Sequence, residues 1–132
     1  MKNRISGMTF LVVDDCSTMR RIIRGLIVGT GCERVIDAAN GAVALRILEQ
    51  IPVHFVISDW SMPEMTGLQL LRQLRSTERL KALPFLMVSA ESAHTNIVEA
   101  AQAGADGYIV KPFDAAQLSE KVHHILERRA MT

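Results

Sequence analysis

Five short apolar runs punctuate this chain, and each is followed by a segment with the period of a helix. The runs are Thr9 to Val13, Val35-Ile36, Phe55 to Ile57, Phe85 to Val88 and Tyr108 to Val110. They are rich in β-branched and aromatic residues, and the longer ones are continuously apolar. Runs of that kind suit strands covered on both faces, as in a parallel sheet. Val35-Ile36 is the weakest run and is expected near an edge. Alternation of strand and helix implies a parallel sheet with helices on both faces and right-handed crossovers.

The intervening segments carry apolar residues three and four apart. In the first they are Met19, Ile22, Ile23, Leu26 and Ile27, with arginines opposite; Ser17 or Thr18 can cap this helix, and Gly29 and Gly31 can end it. The second carries Ala44, Leu45, Ile47 and Leu48 and stops before Pro52. The third carries Leu68, Leu71 and Leu74. The fourth carries Ile97, Val98 and Ala101 and ends at Gly104, and the fifth carries Leu118, Val122, Ile125 and Leu126.

With 132 residues and no Pro-, Gly- or Ser-rich divider or short repeat, one domain is expected over residues 1–132, its core over about 8–128. Hydrophobic residues make up 48%, enough for a real core. Lys and Arg number 15 against 14 Asp and Glu, so the net charge of +1 argues against a chain built to coat nucleic acid. The local patch of Arg20, Arg21 and Arg24 reads as a solvated helix face. Cys16 and Cys32 have no metal-site spacing and read as reduced thiols. The N-terminus lacks a signal-peptide pattern, and no run approaches the roughly 20 apolar residues of a membrane span. A soluble, cytoplasmic protein is expected.

The polar residues that interrupt this pattern gather at one place. Asp14 and Asp15 follow the first run, Asp59 ends the third, Ser89 the fourth and Lys111 the fifth. All fall at the carboxyl ends of expected parallel strands, where open α/β sheets bind ligands. Singly, Asp14, Asp15 and Ser89 could be helix caps and Lys111 a loop residue. Asp59 follows an apolar strand and precedes no immediate helix, so it could be a metal ligand or a nucleophile. Three crowded carboxylates repel, and Mg²⁺, which prefers oxygen ligands, would relieve the conflict. With a lysine and a hydroxyl, they describe a phosphoryl-binding site. The P-loop motif is absent, and Asp14-Asp15-Cys16-Ser17 stands where a dinucleotide fold needs glycines.

The stretches FLVVDDCSTMRR, FVISDWSMPEMTGLQLL, LPFLMVSAES and AGADGYIVKPF resemble the receiver domain of two-component response regulators. STMRRII, SDWSMP, AAQAGADGY and VKPF are most similar to the single-domain chemotaxis type, with no output domain. The resemblance implies a flavodoxin-like (βα)5 fold with strand order 2-1-3-4-5. It implies that Asp59 accepts a phosphoryl group from a chemotaxis-type histidine kinase. Asp15, Asp59 and the Ser61 backbone carbonyl would hold Mg²⁺, with Asp14 acting through a water. Lys111 and Ser89 would contact the phosphoryl group, Tyr108 would change rotamer with Ser89, and the Lys111-Pro112 bond would be cis. The fourth helix, fifth strand and fifth helix would form the partner face, including Ala93, His94, Ile97, Tyr108 and Lys121. Partners would be the flagellar motor switch and a phosphatase, and the regulator would act as a monomer, apart from nucleic acid and membrane.

Some positions depart from that pattern. Ser61 stands where an Asn is usual, and with Glu91 it lines the approach of a hydrolytic water, so both would tune dephosphorylation. Ala93 and His94 replace lysines of the motor-binding type, which leaves a phosphate sink or a parallel chemosensory regulator as alternatives. A haloacid dehalogenase-like phosphohydrolase would want a second Asp two residues after Asp59, where this chain has Ser61. A phosphoacceptor switch, not an enzyme, is the expectation.

Overall fold

The computed structural model describes residues 4–130. Residues 1–3 and 131–132, which enter the leader and domain-span readings, lie outside them. A 3-10 turn, Arg4–Gly7, leads into β1 (Thr9–Val13), followed by α1 (Ser17–Gly29), β2 (Arg34–Ala38), α2 (Gly41–Gln50) and β3 (Phe55–Asp59). Then come α3 (Gly67–Arg75), β4 (Phe85–Ser89), α4 (His94–Ala103), β5 (Gly107–Val110) and α5 (Ala115–Ala130). The strands form one parallel sheet in the order β2-β1-β3-β4-β5, so the weakest run, β2, is an edge as expected.

Period-two alternation explains why β1 is apolar throughout. Phe10 and Val12 pack with Ile23 and Ile27 of α1 and Val122 and Ile125 of α5 on one face. Leu11 and Val13 pack with Leu48 of α2 and Leu71 and Leu74 of α3 on the other. Each fully buried aliphatic side chain contributes on the order of 1.5–3 kcal/mol. Both layers therefore depend on the central strands β1, β3 and β4, which have no solvent face. Among the described residues, no helix is long and apolar enough to cross a membrane.

Local chemistry sets the helix ends. Asn40 caps α2 by accepting from the Val43 amide, and Thr66 and Gln69 form a reciprocal capping box on α3. Asp114 and Gln117 do the same at the start of α5. Gly104 ends α4 with φ of 106°, a left-handed conformation that glycine adopts without steric cost.

Three expectations are corrected. Neither Ser17 nor Thr18 caps α1: the N-cap is Cys16 and makes no side-chain cap bond, because the helix already begins at Ser17. The buried stripe of α1 is narrower than its periodicity suggests. Ile23 and Ile27 meet the sheet, whereas Ile22 is turned about 100° away and is 48% exposed. In α4 the residue packed inward is Ala100, while Ile97 and Ala101 are exposed, so this helix meets the sheet through a small side chain.

Candidate functional site

The ladder of the parallel sheet continues one residue beyond the strands and locks the site's backbone. The Asp14 amide donates to the Ala38 carbonyl at 3.1 Å, Trp60 to Val88 at 2.8 Å and Lys111 to Ser89 at 2.8 Å. Asp14, Asp59, Ser89 and Lys111 therefore start from rigid backbone at the carboxyl edge of the sheet. One carboxylate oxygen from each of Asp14, Asp15 and Asp59 lies within 4.8 Å of the others. Asp14 and Asp59 are buried and Asp15 is exposed, so the cluster opens toward solvent on the Asp15 side.

Lys111 Nζ sits 2.9 Å from Asp59 Oδ1 and 3.6 Å from Asp14 Oδ2. Burial pulls its pKa down, but the hydrogen bond and charge of Asp59, with the charge of Asp14, outweigh burial and leave it raised. The Asp14 carboxyl is also raised, mainly by burial and further by Asp59 and Asp15. The Cys16 amide and Lys111 offset only part of this. Asp14 Oδ1 accepts from the Cys16 amide at 2.8 Å, whereas Asp14 Oδ2 is buried with no hydrogen-bond partner. A buried carboxylate oxygen with no hydrogen bond and only a long ion pair to Lys111, beside two more acids, is a costly arrangement. It fits a small divalent cation that takes oxygen ligands.

The other expected residues fall around this cluster. Ser89 is buried at the end of β4, and its hydroxyl accepts from the Glu91 amide at 3.0 Å, so it does not cap α4, which begins at His94. Ser61 and the Glu91 side chain are exposed beside the site, and the Lys111-Pro112 bond is cis. Tyr108 Oη donates to the Glu91 carbonyl at 2.7 Å. Ser89 and Tyr108 are thus joined through the two backbone groups of one residue. Ile97, Tyr108 and Lys121 line a cleft of about 1010 Å³ between α4 and α5, while Ala93 and His94 are exposed at the start of α4 and do not line it.

Three participants, Gly67, Arg20 and Asp37, were not legible in the sequence; Trp60, next to Asp59 in the chain, was legible as a neighbour of the site but not by its contact. Trp60 meets Tyr108 edge to face, with centroids 6.3 Å apart. Gly67 lies against the Asp59 backbone, where a Cβ would overlap the Asp59 carbonyl oxygen. Arg20, read as part of a solvated patch, instead bonds Asp37 Oδ2 at 3.0 Å and the Asp14 carbonyl at 2.7 Å. Asp37 is 17 positions from Arg20, so no local pattern pairs them.

A parallel sheet in this strand order, with an acid cluster and lysine at its carboxyl edge, defines a receiver domain. The chain belongs to the response regulator receiver domain family, which matches residues 10–123. It is 51% identical to "Chemotaxis protein CheY" of Pseudomonas aeruginosa over 92% of this chain and 98% of that protein. It is 50% identical to "Chemotaxis protein CheY-3" of Vibrio cholerae over 92% of this chain and 94% of that protein. The solved structure of the chemotaxis response regulator CheY4 of Vibrio cholerae superposes with a TM-score of 0.83 at 30% identity, covering 89% of this chain and 98% of that one. The chain is a CheY-like receiver domain, and its clustered Asp14, Asp15 and Asp59 match the acid cluster of such domains.

Proposed function

We propose that the protein is a cytoplasmic, single-domain chemotaxis regulator whose Asp59 accepts a phosphoryl group from a histidine kinase. The observation that carries this reading is Asp59 itself. It is buried at the end of β3, yet one oxygen is held by Lys111 and the carboxylate shares an open-sided cluster with Asp15. In the transfer, an Asp59 oxygen forms a bond to phosphorus while the P–N bond to the donor imidazole breaks, its electron pair staying on the imidazole. Lys111, within hydrogen-bond reach of Asp59, follows the charge onto the phosphoryl oxygens. The Ser89 hydroxyl turns from the Glu91 amide to donate to another, which slackens the Ser89–Glu91–Tyr108 connection and changes the α4–β5–α5 face.

Asp15, Asp59 and the Ser61 carbonyl would hold Mg²⁺, with Asp14 acting through a water, and the ion when bound neutralises charge on the carboxylates and the incoming phosphoryl group. Ser61 and Glu91 set how readily water reaches the acyl phosphate. The partner is the flagellar motor switch, which engages Ile97, Tyr108 and Lys121 beside Ala93 and His94. Similarity to proteins named for chemotaxis supports this output.

Intact-mass measurement after incubation with a small acyl phosphate tests the central step. One phosphoryl adduct is expected, dependent on Mg²⁺ and lost in Asp59→Asn. Equal labelling of Asp59→Asn would sink the assignment.

A further inference from the structure

Asp14 is gripped on three sides. Its amide donates to Ala38 at the end of β2, its Oδ1 accepts from the Cys16 amide, and its backbone carbonyl accepts from Arg20 Nη1 at 2.7 Å. The same guanidinium donates through Nε to Asp37 Oδ2, so a planar fork ties the first turn of α1 to β2 and to the loop that carries Asp14 and Asp15. Arg20 is 19% exposed at the side chain, against 52% for Arg24, whose nearest approach to Asp37 is 3.8 Å. Asp14 Oδ2 is left without a hydrogen-bond partner, 3.6 Å from Lys111 Nζ and beside the oxygens of Asp15 and Asp59.

The geometry points to Arg20 as a positioning residue for the cation site: it aims the Asp14 and Asp15 carboxylates by holding the Asp14 carbonyl, and Asp37 anchors it. This rests on the reading of the acid cluster as a Mg²⁺ site. Partners of this kind, which hold metal ligands without touching metal, contribute to affinity through ligand geometry.

The sign of one measurement separates positioning from simple charge. Arg20 places a positive group close to the site, so by Coulomb's law alone its removal would tighten cation binding. Positioning requires the opposite. In Mg²⁺ titrations followed by Trp60 fluorescence and by calorimetry, Arg20→Met is expected to bind roughly 10-fold more weakly than the unaltered protein. Arg24→Met, with the same charge change and no bond to Asp14, is expected to bind equally or more tightly. Arg20→Lys keeps the charge but not the fork and is expected to weaken binding by about 3-fold. Unchanged or tighter Mg²⁺ binding by Arg20→Met, or unchanged binding by Arg20→Lys should Arg20→Met not fold, overturns the assignment.

Hydrogen exchange without metal supplies a second readout. Loss of the Arg20 bond should speed exchange of the Cys16 amide, which depends on Asp14 Oδ1; an unchanged rate speaks against the clamp. If the unaltered protein shows no Mg²⁺ response, the cation reading fails, and exchange at Cys16 still decides whether Arg20 orders the loop.

Discussion

Two charged clusters sit at opposite ends of the sheet and are built on opposite principles. At the amino end, Asp106 lies just before β5, and its one carboxylate accepts from Arg129 Nε and Nη2, from Arg75 Nη2 and from the Phe85 amide. Arg75 also donates to the Gly104 and Leu83 carbonyls, and Arg129 to Ala82. Two cations serve one anion, and both oxygens are used. At the carboxyl end, three carboxylates gather, one lysine meets two of them, Asp59 and Asp14, and Asp14 Oδ2 has no hydrogen-bond partner. The first cluster ties α3, α5 and the turns before β4 and β5 together. The second keeps an excess of negative charge that Lys111 offsets only in part. The balanced cluster and the candidate site are thus segregated along the strands, which lets the site end be poorly balanced without loosening the sheet.

Removing the acid at each end should shift stability in opposite directions. Asp106→Ala strands two partly buried guanidiniums, of which Arg75 already has a pKa lowered by burial. With each ion 18–30% exposed, a loss of about 2 kcal/mol is expected, less than for a fully buried pair. Urea denaturation measures it, and the folded fraction should still take one phosphoryl group. An unchanged midpoint would break the comparison.

Asp14→Asn should do the reverse. A carboxyl whose folded pKa lies above its unfolded value binds more protons when folded. Stability therefore falls as pH rises through the window between the two, and the whole penalty is present above the folded pKa. In metal-free protein, Asp14→Asn is expected to raise Tm by a few degrees at pH values above the folded pKa, with the gain shrinking as pH falls through that pKa and gone by about pH 4, where the carboxyl is protonated in both states. A lower Tm above the folded pKa would mean that Asp14 is better compensated than its surroundings indicate.

The smallest effect concerns the loop between β3 and α3. Glu64 there has φ of 69°, a left-handed conformation unfavourable for a side chain of its shape. Glu64→Gly relieves that strain but enlarges the entropy of the unfolded chain, so a net gain of about 0.5 kcal/mol is expected by denaturant titration. A clear loss would show that the Glu64 side chain makes a compensating contact.

The strand–helix alternation, the edge position of β2, the Gly104 helix end and the convergence of Asp14, Asp15, Asp59, Ser89 and Lys111 follow from patterns within one element or its immediate ends. Hydrophobic period and strand-end position are local properties, so the sequence by itself determined them. The helix faces were less legible: Ile22 and Ile97 have core chemistry but lie exposed, because which flank of a helix meets the sheet depends on its rotation. What only the tertiary structure decided are contacts between groups far apart in the chain: Arg20 with Asp37 and the Asp14 carbonyl, Gly67 against Asp59, Asp106 between two arginines, and Ser89 joined to Tyr108 through the Glu91 backbone. Each depends on backbone direction and side-chain reach across elements. An arginine on an amphipathic helix has the same sequence signature whether it faces water or holds a carbonyl.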